Sequence, residues 1–136
     1  MTTDTFPKAI SVKTMIENKT ITITGIAKGS GMIEPNMATM LGFIFIDFLI
    51  PQNILQKLLK DLVDKSFNQI TVDGDESTND TVIMTSTNSV SLKNKISSIK
   101  DKRISKIKNS LLPVVKYLAE QIVRDGEGAT KLINIK

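Results

Sequence analysis

Residues 27–45 read AKGSGMIEPNMATMLGFIF, and one hydroxyl, Thr39, stands between a glycine- and proline-rich loop and an apolar run. A hydroxyl becomes a nucleophile only when a base takes its proton, and bases are scarce in this sequence. It contains no histidine and no cysteine. That removes the commonest general base and metal ligand, thiol chemistry, and any disulfide or zinc-thiolate framework. Chemistry is left to hydroxyls, carboxylates, lysines or a backbone group. Taken with its immediate neighbours alone, Thr39 is a structural residue at the start of a strand.

Other motifs fare worse. Gly25, Gly29 and Gly31 form G-x-x-x-G-x-G, which matches neither the dinucleotide fingerprint nor the phosphate-binding P-loop, because Lys28 precedes its glycine instead of following one. The plain reading is a tight turn that uses positive φ. The run DGDESTND at 73–80 alternates Asp73, Asp75 and Ser77 in the manner of a calcium loop. Its sixth and twelfth positions are Thr78 and Met84, where such a loop needs Gly and Glu. It reads instead as an Asx-type turn whose short side chains cap their own backbone. No metal site is expected. A basic segment holds Lys93, Lys95, Lys100, Lys102, Arg103, Lys106 and Lys108, with Asp101 as its one acid. It has no aromatic residue to stack on a base, so a solvated connector is favoured over a nucleic-acid surface.

The elements that must position Thr39 follow from pattern. With 136 residues, 40% hydrophobic, 24% charged and a net charge of +4, the chain has the size and composition of one folded domain. Five Phe, one Tyr and no Trp leave the core to Ile, Leu, Val and Met. Residues 20–25 alternate Thr with Ile or Gly, as a half-buried strand does. Residues 28–38 are loop. Residues 40–46, apolar around Gly42, predict a strand buried on both faces. Pro51 opens a helix whose apolar residues recur at helical spacing to about Phe67. Strand-like 69–72, the polar turn, strand-like 81–84, a second amphipathic helix over 109–124 with Pro113 near its start, and a short strand over 130–135 follow. No element is expected before residue 20. Mixed strands and helices imply an α/β, or α+β layered, fold: a mixed sheet packed by helices. The longest apolar run, 40–50, is broken by Asp47 and is too short to span a bilayer. The opening MTTDTFPKAI lacks the features of a signal peptide. A cytoplasmic protein without membrane contact is the default.

Four stretches, taken in order, carry a resemblance: TTDTFPK, AKGSGMIEPNMATML, TVDGDESTNDTV and VRDGEGATK. They resemble signature segments of the ornithine acetyltransferase family, the glutamate N-acetyltransferases of arginine biosynthesis of the N-terminal-nucleophile type. The matches run from Thr2 to Lys131.

The resemblance implies a precursor that cuts itself between Ala38 and Thr39. The Thr39 hydroxyl would attack the Ala38 carbonyl, and water would open the resulting ester. Residues 1–38 would then end one chain (α) and residues 39–136 begin another (β), in a single structural unit incomplete at both ends and assembled as a hetero-oligomer. Cleavage frees an α-amine of pKa about 7.7–8.0, which can serve as base to the hydroxyl of its own residue. Thr39 would take acetyl from N-acetylornithine and pass it to glutamate, with no cofactor; acetyl-CoA is a further donor substrate in some members. By the same resemblance Thr2, Lys28, Thr39 and Glu127 fall at substrate-binding positions, Lys28 toward a carboxylate and Glu127 toward an ammonium. Without it, Lys28 is a surface lysine and Glu127 a carboxylate at a helix end.

Family members extend beyond both ends of this stretch. The part before TTDT carries a threonine-glycine pair that forms the oxyanion hole, and the C-terminal region adds polar substrate contacts. Losing one oxyanion donor costs on the order of 10²–10³ in rate, so impaired transfer is expected of this stretch alone. The run GFIFIDFLI is also more apolar than is usual for the family, although Asp47 matches. Two alternatives stand beside the enzyme: a non-catalytic remnant or interaction module of the same fold and, more weakly, a basic nucleic-acid or phosphate binder.

Overall fold

The computed structural model describes residues 3–31, 33, 40–74 and 79–135. Four strands form one mixed sheet in the order β1 (Lys8–Ile16), β2 (Lys19–Lys28), β3 (Leu41–Ile46), β4 (Thr81–Ser86). The first two pairings are antiparallel and β3–β4 is parallel. Parallel neighbours need a crossover, and it contains helix α1 (Gln52–Val63) and a 3₁₀ turn at Phe67–Gln69. Helix α2 (Lys102–Arg124) follows β4. The expected α+β architecture, a mixed sheet packed by helices, is the one observed.

Strand β1 was not expected. It pairs with β2 along its whole length through a two-residue turn, with Ile16 opposite Lys19. Glu17 (φ 49°) and Asn18 (φ 60°) both lie in the left-handed region, as a type I′ hairpin turn demands. Its signal is the alternation of Ile10, Val12, Thr14 and Ile16, which the polar opening obscures.

The sheet is buried on one face. Ile21, Ile23, Ile44 and Ile46 join the helix residues Ile54, Leu58, Leu62, Ile104, Ile107, Leu111, Val115, Leu118 and Ile122 in one core. Gly25 lies under α2, where a Cβ would stand 2.7 Å from Leu118 Cδ1; glycine lets strand and helix approach. Burial of β3 on both faces is therefore corrected: Gly42, Ile44 and Ile46 are buried, but Phe45 is exposed. On the opposite face Ala9, Ile26, Phe43 and Ile83 form a row across all four strands.

Three further expectations are revised. Helix α2 begins at Lys102, not 109, so part of the basic segment is helix: Ile104 and Ile107 extend the buried stripe, while the lysines lie on the other side. Pro113 thus sits in the helix interior. Residues 69–72 and 130–135 form no strand; the first begins in the 3₁₀ turn, and Val72 N–H makes a bond of 2.7 Å to the Ile33 carbonyl. Helix α1 ends at Val63, short of Phe67. Among the described residues no helix is long and apolar enough to cross a membrane.

Candidate active site

Thr2, Ala38 and Thr39 lie outside the described residues. Their chain neighbours are firmly held. Upstream of residues 34–39, Ile33 N–H donates to Asp73 Oδ1 at 3.0 Å, and the Ile33 carbonyl accepts from Val72. Downstream, Met40 N–H donates to Asp80 Oδ1, and its carbonyl accepts from Thr81 N–H at 3.0 Å. Both ends of the loop are thus tied to TVDGDESTNDTV. The side chains of Asp73 and Asp80 each reach backbone forty residues away in sequence.

Ile33 and Met40 also border a cavity of about 410 Å³, whose wall includes Leu59, Phe67, Asp80 and Val82. A cavity of this size suits a small molecule.

Lys28 is the last residue of β2 and pairs with Leu41, two positions beyond Thr39. It lines an apolar hollow of about 310 Å³ on the open sheet face, with Pro7, Ile26 and Phe43. Glu127 sits in the turn after α2, and its N–H donates to the Ser30 carbonyl at 2.6 Å. Its carboxylate leans over Gly31. A Cβ at that glycine would stand 3.3 Å from Glu127 Oε2 and 3.6 Å from Asp73 Oδ2. A side chain there would press on the Glu127 carboxylate and touch that of Asp73, which converge from different segments. Lys28 and Glu127 flank the same glycine loop, but no ion pair joins them among the described residues.

The opening segment supplies residues that the motifs did not single out. Lys8 Nζ lies 2.6 Å from Asp4 Oδ1 and 2.5 Å from Asp125 Oδ2, with all three side chains at most 3% exposed. Asp4 also accepts the Gly29 N–H at 2.9 Å, and Asp125 accepts both the N–H and the hydroxyl of Thr5. Thr3 and Ser30 share a hydroxyl–hydroxyl bond of 2.5 Å. Burial pushes both carboxyls up, but the Lys8 ammonium and the hydrogen bonds outweigh it and hold each below its ordinary value. The only sequence signal was their place inside the TTDTFPK and VRDGEGATK segments.

All four segments therefore meet around one loop. The sequence profile of the ArgJ family matches residues 1–136. The chain is 52% identical over its full length to the arginine biosynthesis bifunctional protein ArgJ of Listeria monocytogenes serotype 4b, and 50% identical to that of Neisseria meningitidis serogroup A. It spans about a third (34%) of the length of each. The crystal structure of arginine biosynthesis bifunctional protein ArgJ from Bacillus halodurans superposes with a TM-score of 0.59 at 38% identity, covering 68% of this chain and 43% of that one. A full-length profile match, identity of half the residues and a shared fold lead to one conclusion: the chain belongs to the ArgJ family.

Proposed function

We propose that this chain carries the self-cleaving bond and the nucleophile of an acetyltransferase of arginine biosynthesis. TVDGDESTNDTV holds both ends of residues 34–39, while TTDTFPK and VRDGEGATK bind Gly29 and Ser30 just upstream, and this convergence carries the proposal. Ile33 and Met40 are both pinned to the 71–82 segment, so the two points from which the Ala38–Thr39 bond is held are fixed. That is the setting in which a hydroxyl is brought to its preceding carbonyl.

The chemistry runs in two stages. First, Thr39 Oγ attacks the Ala38 carbonyl carbon, the C–N bond breaks, and the nitrogen keeps the proton that the hydroxyl gave up. Water then hydrolyses the ester, leaving residues 1–38 with a carboxylate and residues 39–136 with a free α-amine. Second, that amine takes the Thr39 proton as Oγ attacks the acetyl carbon of N-acetylornithine. Ornithine leaves with the proton, and glutamate's amine then takes the acetyl group from Thr39 as N-acetylglutamate. Lys28 offers charge to a substrate carboxylate, Glu127 to a substrate ammonium, and Thr2 adds a hydroxyl. The sequence calls for no resident cofactor; acetyl-CoA would enter as an alternative donor. The segments beyond both ends complete the site, the two chains assemble further, and the setting is the cytoplasm.

Intact-mass measurement tests this. The expected result is two fragments divided at Ala38/Thr39, none from Thr39→Ala, and a mature Thr39 chain one acetyl group heavier after brief exposure to N-acetylornithine in the complete protein. A wild-type chain that stays whole, or a mature chain that never gains acetyl, removes the proposal.

A further inference from the structure

The Asp4–Lys8–Asp125 cluster has no part in the chemistry above, and its position is unusual. Asp125 is the C-cap of α2, where the helix presents carbonyl oxygens and the negative end of its dipole. A carboxylate there is opposed by the helix, and burying it adds a desolvation cost. Its neighbours compensate. Two of the three Lys8 ammonium protons face Asp4 and Asp125, and the ammonium lies 5.1 Å from the centre of the Phe6 ring, so the cation is surrounded by favourable partners.

Every bond of the cluster ends on a segment that holds a candidate substrate residue. Asp4 takes the N–H of Gly29, the residue after Lys28. Asp125 lies two residues before Glu127, whose N–H in turn binds Ser30. Thr3, beside Thr2, ties to the Ser30 hydroxyl. An apolar contact here would permit sliding, whereas directional charge-assisted bonds set one register.

We propose that Asp4, Lys8 and Asp125 form an ionic clasp that sets the spacing between Lys28 and Glu127, making Lys8 and Asp125 positioning residues for the amino-acid substrate. The clasp rests on the function proposed above. At most 3% exposure keeps its atoms out of substrate contact, so it acts through the two residues it holds.

The test is steady-state kinetics of the complete protein with Asp125→Asn and Lys8→Met, beside Arg103→Met at the far end of α2 as a control. Asp125→Asn keeps the shape and leaves Lys8 paired with Asp4, so it is the variant to rely on should Lys8→Met not fold. The expected result for Asp125→Asn is a KM for N-acetylornithine raised about tenfold with kcat within about twofold, inside the range that a misplacement of about 1 Å produces. Hydrogen exchange should rise at residues 28–31 and 125–128 and stay unchanged in β3 and α1. Arg103→Met should leave KM alone. Unchanged KM with lowered thermal stability would make the cluster purely structural and overturn the clasp. A fall in kcat at constant KM would also overturn it, by assigning the cluster to chemistry instead of substrate placement. Wild-type protein that self-cleaves but transfers no acetyl would defeat the proposed function first, a result visible without any clasp variant, and the clasp's substrate role would fall with it.

Discussion

Helix α2 ends twice in the same charge pattern, one cation between two carboxylates, with one carboxylate on the cap residue. At its start Arg103 binds Asp101 at 2.7 Å and Glu17, in the β1–β2 turn, at 2.8 Å. At its end Lys8, the first residue of β1, binds Asp4 and Asp125. Strand β1 and helix α2 are thus tied together at both ends. The surroundings differ sharply. The Arg103 cluster is 18–23% exposed and the Lys8 cluster at most 3%. Asp101 also sits where a helix favours an acid, with its carboxylate accepting the Arg103 N–H at 2.9 Å, whereas Asp125 sits where a helix opposes one. The first cluster caps a helix. The second opposes local energetics and lies beside the candidate site, which is where strain and cost are tolerated for function.

Removing the central cation would break the comparison most strongly. Lys8→Met leaves two buried carboxylates facing each other and should cost about 3–5 kcal/mol, read as a lowered denaturation midpoint with unchanged slope. A similar cost for Arg103→Met would show that burial does not separate the two clusters.

Acid should sharpen the difference. In the wild type Asp4 and Asp125 are held below the ordinary 3.8. Their contribution is therefore complete above that value and is lost as pH falls through the lower folded-state pKa. In Lys8→Met burial remains, the ammonium is gone and two carboxylates face each other, with only the Gly29 and Thr5 hydrogen bonds left in opposition, so both carboxyls rise relative to the wild type. The penalty of Lys8→Met should be largest near about pH 7 and shrink toward about pH 4 as the carboxyls take up protons in the folded state. Denaturant titrations across that range would check it, and a penalty independent of pH would contradict it.

The smallest effect belongs to the helix start. Asp101→Ala should cost about 1 kcal/mol, the usual value for a lost N-cap, and leave substrate affinity unchanged. Thermal melts and KM, measured side by side, separate the two.

How far the fold could be read depended on whether a pattern was local. Strands β2, β3 and β4 and helix α1 stand out because apolar period and turn residues agree within each. Strand β1 was missed because the polar run before it dominates, although Ile10, Val12, Thr14 and Ile16 alternate. The first turns of α2 were masked by lysines, which occupy its solvent side while Ile104 and Ile107 continue the buried stripe. Residues 69–72 and 130–135 have strand-like composition but no ladder, because composition cannot supply a partner.

The candidate site divides in the same way. The absence of histidine and cysteine, the setting of Thr39 and the four signature segments belong to the linear chain, and through resemblance they indicate Lys28 and Glu127. That Asp73 and Asp80 hold the two ends of one loop, that Glu127 leans over Gly31, and that Lys8 lies buried between Asp4 and Asp125 could not be read there. These contacts join residues 40 to 117 positions apart, apart from the Asp4–Lys8 pair. Periodicity records which face of an element meets the core. Only packing the sheet against α1 and α2 decides which distant side chains come within hydrogen-bonding distance, because that depends on where whole elements end relative to one another.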